Sequence, residues 1–227
     1  MKQKKHRSLI TGITTGLLFL TSQCAWSVSL NLAGDYAING TTSAARPELA
    51  GVVLEDLITS YSFTGLAGQT LEGTIQNRVV RSADGTLDFY WRIRSTGGND
   101  DIDAFRVTGF DGFNLDADWR LDGLGSAAPD TARYFGPGSG SVNFLFDTNP
   151  VGLDVTGAYD DSMFFFLDTD ATSYDFSGQF DLVCANSGCI SESYSTFAPS
   201  AVPLPAAAWL MISGLLGLVG IGTRRSL

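Results

Sequence analysis

Histidine is nearly missing from this 227-residue chain; the single copy is His6. From residue 7 onward, Ser-His-Asp and Cys-His catalysis and histidine metal sites are therefore excluded. Lysine stops at Lys5, so the eight basic residues from Arg46 to Arg133 are all arginine. Cysteine occurs only at Cys24, Cys184 and Cys189, with no CxxC spacing and no second pair of the kind that holds zinc. No GxGxxG or P-loop sequence is present. No convincing long helical pattern runs through the middle of the chain. Paired carboxylates are the one catalytic option left. With 24 acids in the chain, finding a pair distinguishes nothing, and the reading is that the protein is not an enzyme.

What is present is a chain with charged ends and an acidic middle. All 24 acids lie between Asp35 and Glu192, and 20 of them are Asp. Six of the 14 basic residues lie in the ends, at Lys2, Lys4, Lys5, Arg7, Arg224 and Arg225. The body keeps eight arginines against 24 acids, a formal charge of −16. Such a surface repels nucleic acid and anionic lipid, and suits cations or plain solubility. Aspartate at this density belongs to turns, where its short side chain bonds nearby backbone. It is also a hard oxygen ligand for calcium.

The first 27 residues follow the order of a secretory signal. A basic start (Lys2 to Arg7) precedes an uncharged, mostly apolar run, Ser8–Ser22. Ala25 and Ser27 are small residues placed for a cut after Ser27. The apolar run is short for a permanent span, which favours cleavage. Removing it also removes Cys24. Cys184 and Cys189, separated by Ala-Asn-Ser-Gly, are then left in an exported protein, where they are expected to form a disulfide.

Residues 28–190 read as one body of short strands. Thr74–Arg81 and Thr86–Arg94 flank Ser82-Ala83-Asp84-Gly85, a hairpin signal. Leu87, Phe89, Trp91 and Ile93 alternate with Asp88, Tyr90, Arg92 and Arg94, so one set faces a core. Ile102–Phe110 is a further strand, and Phe113, Leu115, Ala117 and Trp119 alternate in another. Val142, Phe144 and Phe146 mark the next. Met163–Leu167 is unbroken apolar sequence, hence a strand covered on both faces. Tyr174, Phe176, Phe180 and Leu182 alternate again. Val52–Thr64 mixes helical spacing near Pro47–Val53 with alternation at Thr59, Tyr61 and Phe63, so strand is expected for its second half only. Pro129–Gly140 reads as irregular. Eight to ten strands with regular turn signals predict an all-β body, a single antiparallel β-sandwich of jelly-roll type, with a barrel as the other candidate.

Residues 191–201 have little pattern and read as a linker. After it comes a three-part segment, 202–227. Pro203 and Pro205 lead an uncharged apolar run, about 206–222, and Arg224 and Arg225 close it. As a helix the run is roughly 25 Å long, short for a bilayer core of about 30 Å. Trp209 suits one interface, and the two arginines orient the span with the body away from the cytoplasm.

This tail resembles the PEP-CTERM sorting signal, and more closely its VPLPA variant. Val202-Pro203-Leu204-Pro205-Ala206 matches the variant's motif as it stands, and Leu204 occupies the place of the Glu in the PEP form. Ala207-Ala208-Trp209-Leu210, the Gly-rich apolar run and Arg224-Arg225 continue the match. The body is also similar to uncharacterised exported β-rich proteins that carry such tails, especially through Arg78–Arg94. The resemblance implies processing by an exosortase, a membrane-embedded cysteine transpeptidase that cuts near the Pro motif. It further implies an inner-membrane-anchored precursor and then the cell surface or extracellular matrix of an exopolysaccharide-making Gram-negative bacterium.

Two binding chemistries suit the body. Asn99, Asp100, Asp101 and Asp103 put four oxygen side chains within five residues, a candidate calcium site outside the EF-hand register. Tyr90, opposite the expected core face and beside Asp88 and Arg92, suits carbohydrate. The expected role is structural or interactive, in biofilm or envelope, with a calcium-assisted carbohydrate-binding module as the alternative.

Overall fold

The computed structural model describes residues 28–201, apart from 66–67, 149, 153–159 and 186–188. The expected signal peptide (1–27), sorting motif (Val202–Ala206), apolar span (206–222), Arg224 and Arg225 all lie outside the described residues. Among the described residues, no helix is long and apolar enough to cross a membrane.

The body is all-β, as expected, and its strands form two antiparallel sheets of six. The first runs in the order β1 (Val28–Ser29), β7 (Leu115–Trp119), β10 (Phe165–Thr169), β5 (Leu87–Gly98), β4 (Thr70–Arg81), β3 (Val52–Thr64). The second runs β12 (Tyr194–Pro199), β11 (Tyr174–Cys184), β6 (Ile102–Thr108), β9 (Val142–Leu145), β8 (Thr131–Tyr134), β2 (Gly34–Ala37). Two open-edged sheets replace the single closed sheet that a barrel requires.

The alternation in β5 does what its period dictates. Leu87, Phe89, Trp91 and Ile93 are all buried in the main core. Trp91 lies among rings of both sheets, 6.2 Å from Phe165 of the first and 5.5 Å from Phe105 of the second. Phe105 in turn meets Phe165 edge-on at 5.1 Å and stacks on Phe180 at 5.0 Å. Aromatic rings at these separations contribute beyond their buried area. The β4–β5 hairpin closes through Ser82 N–H to Thr86 O at 3.0 Å, with Gly85 at φ 93°, a conformation that penalises a Cβ.

Four expectations change. Val52–Thr64 is strand throughout, paired along its length with β4 apart from a bulge between Val53 and Glu55, and the helical spacing resolves into one short 3-10 turn at Pro47–Leu49. Pro129–Gly140 holds the strand β8, because Ala132 and Tyr134 alternate inward within a Gly-rich surround. Among the described residues there are 12 strands, not eight to ten. Residues 191–201 are not a linker: they carry β12, the edge strand of the second sheet.

The reason for the last is a buried polar chain. The Trp91 indole N–H donates to Thr196 Oγ1 at 2.9 Å, and the Thr196 hydroxyl donates to Asn77 Oδ1 at 2.9 Å. The Asn77 amide then donates to Thr59 Oγ1 at 3.1 Å. Buried polar groups need partners, and β12 supplies the one that the Trp91 indole uses. Ser200 extends the ladder, its N–H donating to Ser173 O at 3.0 Å.

Candidate functional site

The unbroken apolar run at Met163–Leu167 implies that the outer face of the first sheet is covered too. It is. Residues 38–51 fold across that face. Gly40 N–H donates to Asp118 Oδ1 at 2.8 Å, Thr41 N–H to Trp119 O at 2.8 Å, and Leu49 joins a second apolar cluster with Val80, Tyr90, Phe164 and Phe166. Gly40 is required here: a Cβ at that position would lie 2.7 Å from the Trp119 ring. Asp118 is buried beneath this segment.

Under the same cover sits a pair of carboxylates. Asp88 and Asp168 are cross-strand partners on β5 and β10, and Asp88 is fully buried. The Ser82 hydroxyl donates to Asp88 Oδ2 at 2.5 Å. Arg46, from the covering segment, reaches Asp168 Oδ2 at 2.6 Å and Glu48 Oε1 at 2.7 Å. Burial first, then the charge of Asp168, pushes the Asp88 carboxyl well above the usual carboxylate range. Burial also raises Asp168, while Arg46 pulls it back. Two neighbouring buried acids cannot both ionise cheaply, which favours the protonated form of Asp88.

Beside this pair the covering segment and the 120–124 loop leave a groove of about 460 Å³. Its lining includes Tyr90, Phe164, Gln76, Arg78, Arg120 and Asp122. The Arg78 guanidinium lies over the Phe164 ring at 4.8 Å and donates to Asp56 at 2.6 Å. Gln76 donates to the same carboxylate at 2.8 and 3.0 Å. Arg120 donates twice to Asp122, at 2.7 and 3.0 Å, and Ser43 adds its N–H and hydroxyl. These bonds hold the Asp122 carboxyl far below its ordinary value, the Arg120 contact contributing most. The Tyr90 hydroxyl faces Arg120 without a hydrogen bond of good geometry, and burial raises it strongly. An apolar floor rimmed by guanidinium, amide and carboxylate groups suits an oxygen-rich ligand such as a sugar.

Cys184 and Cys189 stand at disulfide distance, with Cα atoms 5.3 Å apart, at the end of β11. The four calcium candidates lie between the end of β5 and the start of β6. Asn99 Oδ1 accepts from Thr70 N–H at 2.7 Å, and Asp100 Oδ1 accepts from Asp101 N–H at 2.9 Å. Asp103, on β6, is raised by burial and by the charge of Asp147. Among the described residues no three acidic, His or Cys side chains gather as a metal-binding group.

Tyr90 also departs from its expected place. It is on the outer face, but buried against Phe166 at 4.9 Å, and it lines the groove. Sequence reasoning missed Arg46 and the burial of Asp88 beside Asp168. The signal was available in the two-faced apolar run: its register neighbours on the same outer face must share its cover. No protein-family model matches the chain, and no curated protein and no solved structure matches it.

Proposed function

We propose that this is an exported surface or extracellular-matrix protein whose C-terminal segment is read and cut by an exosortase, and whose body is structural or interactive. The body is read as a β-sandwich of jelly-roll type. In this account residues 1–27 direct export and residues 206–222 hold an inner-membrane precursor until cleavage near Val202–Ala206. The mature protein then reaches the surface or matrix of a Gram-negative bacterium. The observation that carries the reading is where the fold closes. The last described strand ends at Pro199 and Ser200 is tied to Ser173, directly upstream of the VPLPA motif. A tail placed there can be removed without taking a strand from either sheet. The test replaces Pro203 and Pro205 with Ala in the producing cell. The body should stay cell-associated with its tail intact; unchanged secretion and tail processing would defeat the sorting account.

The groove favours a second reading, a carbohydrate-binding module. Its support is the juxtaposition of Tyr90 and Phe164 with Arg78, Gln76 and Asp122 in one cavity. Calcium assistance, through Asn99, Asp100, Asp101 and Asp103, belongs to this reading. Binding of the mature protein to the host's own polysaccharide, measured with and without chelator, separates the two. Absence of binding in both conditions sinks the module, and chelator-insensitive binding removes calcium from it.

A further inference from the structure

Two open sheets leave four strand edges. Three are short: β1 has two residues, β2 four, and β12 six, the last ending on Pro199. The fourth, β3, is 13 residues long and pairs on one side only, with β4. Among the described residues no strand or isolated bridge pairs with its other side. It carries exposed apolar side chains: Val52 is 68% exposed, Val53 48%, Leu57 39% and Ile58 50%. Proteins usually blunt such an edge with Lys, Pro, a bulge or a covering loop. β3 has no Lys and no Pro, and its one bulge lies at its start, between Val53 and Glu55.

We propose that β3 is a self-association edge, at which a second copy of this chain adds its own β3, antiparallel about a two-fold axis at Ser60. The charge pattern of the strand selects this partner and register. Its two acids, Glu55 and Asp56, are adjacent. Centring on Ser60 sets Asp56 opposite Thr64 of the other copy, and the acids of the two copies fall at opposite ends of a nine-residue ladder roughly 30 Å long. A parallel pairing, or one centred on residues 55–56, stacks acid on acid, which is destabilising.

The same register makes favourable side-chain pairs. Leu57 meets Phe63 and Thr59 meets Tyr61 of the other copy on the core-facing side, and Ile58 meets Ser62 on the outer side. Aromatic rings beside aliphatic or β-branched residues are stabilising cross-strand pairs. The acids are already held within their own chain. Asp56 accepts from Arg78 and Gln76, and the Tyr174 hydroxyl donates to Glu55 Oε1 at 3.2 Å. Tyr194 approaches the Ser62 backbone from β12, so the Ile58–Ser62 rungs are the weakest. Each copy has one such edge, so the assembly closes at two. The formal charge of −16 on each body opposes association, and screening by salt favours it.

Sedimentation velocity of the mature protein from producing cells, at about 50 mM and about 500 mM NaCl, tests this. The dimer fraction should rise with salt. Ile58→Lys should weaken dimerisation by about tenfold or more while leaving the far-ultraviolet circular dichroism unchanged. Under mild oxidation Ser60→Cys should give a covalent dimer, and Ser139→Cys, placed on a distant loop, should not. A wild-type protein that is monomeric at both salt concentrations, or an Ile58→Lys variant that associates equally well, overturns the proposal. A dimer that Ser60→Cys fails to cross-link in preference to Ser139→Cys overturns it as well.

Discussion

Asp88 and Asp168 face each other across the β5–β10 ladder, beneath the segment whose Arg46 pairs with Asp168. Burial and the charge of Asp168 push the Asp88 carboxyl up to about 8, so the native protein holds a proton that an unfolded chain, with an ordinary aspartate value of 3.8, has already released. Stability from this source is therefore complete below about pH 4 and falls as pH rises toward the folded value. Each pH unit over which the difference persists removes about 1.4 kcal/mol. Urea unfolding between about pH 5 and pH 8 should show this loss. Asp88→Asn keeps the acceptor for Ser82 and removes the titrating group, so it should flatten the slope. An equal slope in both proteins would contradict the raised Asp88 carboxyl.

Asp122 carries the opposite sign. Arg120 and Ser43 favour its charged form, so its contribution is present above its ordinary value and disappears as pH falls further. The pair is partly exposed, which limits it to under about 1 kcal/mol. Asp122→Asn should shrink only the acid limb of the stability curve. It should also speed amide exchange at Ser43, whose N–H donates to this carboxylate at 2.9 Å.

Thr196 links the sheets through the Trp91 indole and Asn77. Thr196→Val preserves shape and strands a buried donor and acceptor, a loss of about 1–3 kcal/mol. Phe105→Ala, at the ring contact between the sheets, should cost about 3–5 kcal/mol. Chemical denaturation measures both. If Thr196→Val were neutral, β12 would not be integral to the body.

The Cys184–Cys189 bond closes no long loop, since the two are five residues apart, and its reduction should cost little. The expected loss is about 2 kcal/mol, read as a lower urea midpoint with an unchanged slope, since a five-residue loop adds little to the surface exposed on unfolding. Full unfolding on reduction would give this bond a larger part than its loop length allows.

How far the sequence disclosed this fold depended on whether a residue pattern had a period. Leu87 to Ile93 alternates over seven residues, and its core face was legible. β8 and β12 are four and six residues long and lie among Gly, Pro and Ser, where alternation is too brief to separate strand from loop. The covering segment 38–51 has no period at all, because it is held by particular bonds, Arg46 to Asp168 and Gly40 to Asp118. Hence Tyr90 and Asp88 read as an open face and are in fact covered. The cluster at residues 99–103 was visible in sequence, but not that Asn99 and Asp100 use side-chain oxygens to accept from the Thr70 and Asp101 backbone.

The central claim concerns the chain's ends, and a mass spectrum of the mature protein from its native host tests it most directly. The account predicts an N-terminus at Val28 and a C-terminus at or near Val202–Ala206, with β12 retained and the 206–222 run gone. A mature chain that still carries residues 1–27 and ends at Leu227 would contradict it.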